Sequence, residues 1–171
     1  KDITKWRDIV KAPSVQYSDE RWAAAVARAQ AVDRSDKFVT VFFAPGVFEM
    51  AHHLMGMEGA MMSFYEEPEC LHELIDYIVD YEISYAKEII PRLKPDALFH
   101  HDDWGGQISS FFSPDMFKEF FVEPYKRLYG FWKDNGIELI VHHSDSYAAN
   151  LVPHMIDIGI DIWQWVMTTN N

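Results

Sequence analysis

Two short apolar runs, each ending in paired histidines and acids, constrain this chain more than any other feature. Ala97-Leu98-Phe99 runs into His100-His101-Asp102-Asp103-Trp104-Gly105-Gly106-Gln107, and Ile137 to Val141 runs into His142-His143-Ser144-Asp145. A buried strand is built from consecutive apolar side chains and ends where polar residues and glycines take over. Polar residues at such an end emerge where side chains meet a ligand. The repeat of the pattern within 171 residues predicts a site at the ends of two strands, with the rest of the chain as its scaffold.

The remaining periodicities supply that scaffold. Residues 1–11 form a short helix with Ile3, Trp6, Ile9 and Val10 on one side, stopped by Pro13. Ser18 caps a helix reaching Val32, with Asp19 and Glu20 in its first turn. Residues 37–44 are β-branched and aromatic, a buried strand ended by Pro45-Gly46. Two short helices follow over 47–57 and 58–65, hinged at Gly56. Pro68 opens a long helix whose stripe is Leu71, Leu74, Ile75, Ile78, Tyr81, Tyr85 and Ile89, broken at Pro91 to Pro95. A strand over 96–101 leads to the loop 102–112. Ser113-Pro114 then starts a helix that kinks at Pro124 and stops at Gly136. A strand over 137–143, a helix over 147–158 interrupted near Pro153, and a strand over 160–166 complete the order. Strands alternating with helices mean βαβ units and a parallel sheet, whose sites lie at the carboxyl ends of the strands. Pro45-Gly46-Val47 is not a Gly-rich dinucleotide loop, so no Rossmann cofactor site is expected.

Composition narrows the partners. Twenty-seven acidic residues against 15 basic give a net charge of −12, which argues against nucleic acid and anionic membrane surfaces and leaves a small-molecule substrate. No apolar run is long enough to span a bilayer. The single cysteine, Cys70, excludes an internal disulfide and fits a cytoplasmic location.

The motifs and their order resemble the uroporphyrinogen decarboxylase superfamily, which includes cobalamin-dependent methyltransferases. Phe43-Ala44-Pro45-Gly46 through Leu54-Met55-Gly56 resembles the family's strand, turn and helix. Glu67-Pro68-Glu69 resembles the start of its next long helix, and Asp102-Asp103-Trp104-Gly105, Gln107, Ser113-Pro114-Asp115-Met116-Phe117 and Pro124-Tyr125 its following strand, loop and helix. His143-Ser144-Asp145 with Gly159-Ile160-Asp161 resembles its H-x-C/D-G … G-x-D segment. The resemblance implies a (β/α)8 TIM-type barrel. Such a barrel takes ~250 residues, so the chain, about four strands long, is expected to be a partial barrel domain over 1–171 and a piece of a longer protein. The exposed strand edges of a half-barrel imply association, as a homo-oligomer or with the remainder.

The resemblance also implies chemistry. In its methyltransferase branch H-x-C supplies zinc ligands, and the zinc turns a bound thiol into a thiolate. Here the pair is His143 and Asp145, read either as metal ligands or as a hydrogen-bonded pair orienting a loop. His101, Asp102 and Asp103 are candidate catalytic groups. His101 and Asp103 share one parity along the strand, His100 and Asp102 the other, so at least two of the four are expected to satisfy the core or cap the loop. Glu49, His52, Trp104 and Gln107 are candidate substrate-binding residues, with His52 near the family's pocket tyrosine and Trp104 either flooring a pocket or covering the barrel end. Trp163 and Trp165 share a strand face, the Met-rich run Met50 to Met62 is core packing, and His72 and His154 are surface. The reading preferred is a metal-assisted methyltransferase working with a corrinoid protein or thiol acceptor. A porphyrinogen decarboxylase and a non-catalytic small-molecule-binding barrel are the alternatives.

Overall fold

The computed structural model describes residues 2–171. A 3-10 turn at Ile3–Lys5 and helix α1 (Trp6–Ile9) precede α2 (Asp19–Gln30), which starts where the Ser18 side chain accepts a hydrogen bond from Arg21 N. Then come β1 (Thr40–Phe43), α3 (Val47–Met55), α4 (Met57–Glu66) and α5 (Pro68–Leu93). Gly56, at φ 84°, makes the turn between α3 and α4. β2 (Ala97–His101) leads through the loop to α6 (Pro114–Phe117), a π-helical turn at Lys118–Val122 and α7 (Glu123–Asp134). β3 (Leu139–His143), a 3-10 turn at Ala149–Leu151, α8 (Val152–Asp157) and β4 (Ile162–Gln164) complete the chain.

The four strands are all parallel and lie side by side in chain order, β1-β2-β3-β4. A doubly wound sheet reverses its order at a switch point; this one does not, and has the winding of a (β/α) barrel wall with half the strands of a closed barrel. The register aligns side chains in rows across the sheet: Phe43, His100, His142 and Trp163 in one, His101, His143 and Gln164 in the next.

Alternation sorts these rows by face. Val41, Leu98, His100, Ile140 and His142 are buried beneath α5 and α7. The opposite face carries Phe42, 65% exposed, with Ile162, 45% exposed, and the half-buried Phe99 and Val141. The core lies on the helix side, where α5 contributes Leu71, Leu74, Ile75, Ile78, Val79, Ala86 and Ile89, and α7 Tyr125, Leu128, Tyr129 and Trp132.

Some elements depart from the sequence pattern for visible reasons. β1 begins at Thr40 rather than Lys37 because the Asp96 carboxylate takes the Val39 N–H at 2.6 Å. Likewise Asp161 takes the Ile140 N–H at 2.7 Å, and β4 starts after it. Pro91 does not break α5: one turn from the end, its missing N–H costs a single bond, and the helix closes at Lys94 (φ 45°), whose N–H reaches Ile90 O at 2.9 Å. Pro124 is met by the π-turn before it. β4 ends at Gln164 and Trp165 has φ 70°, so Trp163 and Trp165 do not share a strand face; Trp163 turns inward and donates to Ser144 O at 2.9 Å. His72 and His154 are half-buried rather than on the surface, His72 stacked on Phe120 at 4.3 Å and His154 5.9 Å from the Phe117 ring.

Two glycines permit close approaches. A Cβ on Gly46 would lie 2.5 Å from Asp102 Cβ and 2.7 Å from His101 O, and one on Gly105 would lie 2.1 Å from Tyr147 O. Gly46→Ala is therefore expected to destabilise the protein by about 1–3 kcal/mol, since backbone and a buried carboxylate must both give way. A denaturant midpoint unchanged from the parent protein would show that the approach is not tight.

Candidate active site at the carboxyl ends of β2 and β3

Behind the sheet, the strand ends carry a layer of buried polar groups. Asp102 is fully buried and accepts four hydrogen bonds: from Phe48 N and Glu49 N at 2.9 Å each, from Trp104 Nε1 at 3.1 Å, and from Tyr125 OH. The first two donors are orphan amides of the α3 N-terminus, so a carboxylate just past the end of β2 caps a helix that begins far earlier in the chain, at Val47. Burial pushes the Asp102 carboxyl up to about 6, against the pull of these donors.

A chain of hydrogen bonds extends from it. His142 Nε2 meets Asp102 O at 3.1 Å, His142 Nδ1 meets Tyr129 OH at 3.2 Å, Tyr129 OH meets His100 Nδ1 at 2.8 Å, and His100 Nε2 meets Glu82 Oε2 at 3.0 Å. A carbonyl only accepts, so Nε2 of His142 carries a proton. Burial holds His142 well below its ordinary pKa and keeps it neutral. Its Nδ1 therefore accepts from Tyr129 OH, and Tyr129 in turn accepts from His100 Nδ1–H. One proton remains between His100 and Glu82. Burial raises Glu82; burial opposes charge on His100 too, but Glu82 overrides it and lifts the imidazole.

In front of the sheet lies a different set. His101 Nδ1 is 2.8 Å from Glu49 Oε2, and donor atoms of Glu49, His101 and Asp103 all lie within 4.8 Å of one another. His143 stacks on His101, ring centroids 4.6 Å apart and planes at 18°, and its Nδ1 is engaged by Gln164 Oε1. Ser144 Oγ donates to Asp103 Oδ1 at 2.9 Å. Burial raises the Asp103 carboxyl, the Ser144 bond and His101 oppose this, and the neighbouring charges of Asp145 and Glu49 add to it. Ser144 is buried, whereas Glu49, His101, Asp103, His143 and Gln164 are half-buried, so the cluster is open to a ligand.

The structure thus brings together Glu49, His101, Asp103, His143 and Asp145. It does not bring Asp102 or Trp104 to them. Asp102 has the other parity and both its oxygens are engaged behind the sheet; Trp104 is wholly buried there, stacked on His142 at 4.0 Å. Gln107 is exposed on the loop. His52 lies one turn beyond Glu49 with its ring 5.1 Å from Phe48, and burial, then His53, lowers its pKa against the pull of Glu49. Glu82, Tyr129 and Gln164 are not marked by any sequence motif, and Tyr125 enters only through the Pro124-Tyr125 pair. Glu82 was detectable: it sits four residues after Ile78 and four before Ala86, a carboxylate in register with the apolar stripe of α5.

A parallel sheet, helices covering one face and a donor cluster at the strand ends define a (β/α)-barrel type of ligand site. Residues 3–169 match the family model described as uroporphyrinogen decarboxylase (URO-D), and the chain belongs to that family. No curated protein and no solved structure matches the sequence.

Removing the Asp102 carboxylate leaves buried donors unpaired at about 1–3 kcal/mol each. Asp102→Ala is expected to cost at least about 3 kcal/mol in chemical denaturation, and Tyr129→Phe, which breaks the chain of bonds at one point, about 1–3 kcal/mol. Near-neutral effects of both would mean that this layer is spectator packing.

Proposed function

We propose that this chain is a methyltransferase of the uroporphyrinogen decarboxylase family, one that uses a metal ion to activate its nucleophile and works with a corrinoid protein or a thiol acceptor. The observation that supports this reading is the charge of the strand-end loops. No Lys or Arg occurs between Lys37 and Lys87, between Lys94 and Lys118, or after Lys133. Every loop that follows a strand falls in one of those gaps. A porphyrinogen bearing many carboxylates needs cationic partners, and here it would meet Glu49, Asp103 and Asp145. An acidic, imidazole-rich site suits a cation instead.

The zinc set of the family's methyltransferase branch fits this chain only in part. Its H-x-C position reads His143-x-Asp145, one nitrogen of His143 is engaged by Gln164, and the single cysteine lies in the first turn of α5. The donors present are nitrogen and oxygen, which fit a divalent ion held without thiolate. Such an ion supplies a Lewis acid that lowers the pKa of a bound thiol. The chain's own residues do the positioning: Glu49 orients His101, Gln164 orients His143, and Ser144 holds Asp103.

The test is methyl transfer from methylcobalamin to a small thiol, followed through loss of the cobalt–methyl absorbance. Metal-dependent demethylation is expected, falling at least about 10-fold in His143→Ala, as for loss of one orienting group at a metal site. Absence of demethylation together with release of carbon dioxide from a porphyrinogen would replace methyl transfer by decarboxylation.

A further inference from the structure

We propose that Glu49, His101 and Asp103 form a divalent-metal site, separate from the His143-x-Asp145 pair at which the family resemblance places zinc. Two carboxylates and one imidazole converge from two elements: Glu49 from the first turn of α3, His101 and Asp103 from the end of β2 and the residues after it. Ligand atoms sit about 2.0–2.2 Å from a bound first-row ion, so donors around one ion lie no more than about twice that distance apart. The three here lie within 4.8 Å of one another, and small side-chain rotations close the remainder.

The site is preorganised in a way that scattered surface acids are not. Asp102 stands between two of the three ligands in the chain, and its carboxylate binds the backbone N–H of the third, Glu49, at 2.9 Å. The same carboxylate holds Phe48 N at 2.9 Å. Separation of α3 from β2, the motion that would disperse the ligands, therefore requires breaking buried, charge-assisted hydrogen bonds. Outer contacts fix the ligands further: Ser144 Oγ–H on Asp103 Oδ1 at 2.9 Å, and the stack of His143 against the His101 ring. His101 keeps Nδ1 on Glu49 and, among the described residues, forms no hydrogen bond through Nε2.

Charge points the same way. Asp145 adds a third carboxylate beside the cluster, and the flanking loops hold no Lys or Arg to balance it. A bound dication supplies that balance. The set is two oxygens and one nitrogen with no sulfur, which selects manganese, iron, cobalt or zinc in the divalent state over thiophilic ions. With three protein ligands and half-buried side chains, coordination positions stay open for a substrate oxygen or sulfur. This assignment does not depend on methyl transfer: an ion bound here without methyl transfer would overturn the reading above and leave the site in place.

The experiment is calorimetric titration of chelator-stripped protein with Co²⁺ and with Zn²⁺, read alongside the visible spectrum of the Co²⁺ form. One ion per chain is expected, with a ligand-field spectrum of nitrogen and oxygen ligation and no thiolate charge-transfer band. Affinity is expected to fall at least about 100-fold in Glu49→Gln, His101→Gln and Asp103→Asn, more than loss of an outer contact costs. His143→Gln and Asp145→Asn, which remove outer contacts only, are expected to weaken binding by about 10-fold at most and to keep the spectrum of the ion. Circular dichroism establishes that each variant is folded, and the spectrum of the parent protein reports the ligand set even where a variant is not. Absence of saturable binding to the parent protein overturns the site. So does loss of binding in the His143 and Asp145 variants with retention in the other three.

Discussion

The buried carboxylate of Asp102 is the interaction on which the rest of the structure depends. An isolated carboxylate in an apolar interior is prohibitively costly, and it is tolerated here because four donors surround it. Those donors belong to three different parts of the chain: the α3 amides, the indole that follows β2, and the phenol of α7. One side chain therefore joins the first crossover helix, the central strand and the second crossover helix at a single point. Gly46 is the steric counterpart of that joint, since any side chain there would occupy the space the carboxylate uses.

The joint separates two polar layers with opposite electrical character. Behind the sheet, Glu82, His100, Tyr129 and His142 exchange hydrogen bonds in a dry environment, and the proton order is dictated from one end by a backbone carbonyl. Apart from the proton shared by Glu82 and His100, no group in that layer needs to carry charge. In front of it, Glu49, Asp103 and Asp145 keep contact with water and concentrate negative charge around two stacked imidazoles. Neighbours in sequence fall into different layers because the strand period is two: His100 and His142 serve the first, His101 and His143 the second.

That period is why so much of the site was legible. Parity alone divides His100-His101-Asp102-Asp103 into pairs, and parallel pairing of β2 with β3 lays His101 beside His143. The alternation of strand and helix likewise gives the winding of the sheet, and Ser18, Ser113 and Gly56 mark boundaries that the backbone keeps. What could not be read depends on contacts distant in sequence. The strands are shorter than their apolar runs because Asp96 and Asp161 intercept backbone amides. Trp104 lies behind the sheet stacked on His142 at 4.0 Å, a partner that only the pairing of β2 with β3 brings to it. The place of Glu82 follows from helical spacing, but its partner His100 follows only from how α5 crosses β2.

A barrel places function in the loops after its strands and stability elsewhere, so one family can change chemistry without changing fold. The loop residues that would have to be cationic for a polycarboxylate are absent over long stretches of sequence, whereas cations elsewhere in the molecule are present and paired, as Arg34 with Asp96 and Lys133 with Asp161. The strand ends lie inside these cation-free stretches, together with α3, α4 and α8. Coulomb repulsion among Glu49, Asp103 and Asp145 is a standing cost of the fold; the Asp102 bond to Glu49 N holds Glu49 against β2, and Ser144 holds Asp103. A framework that holds like charges together at the strand ends is the preorganisation on which the proposed metal site rests.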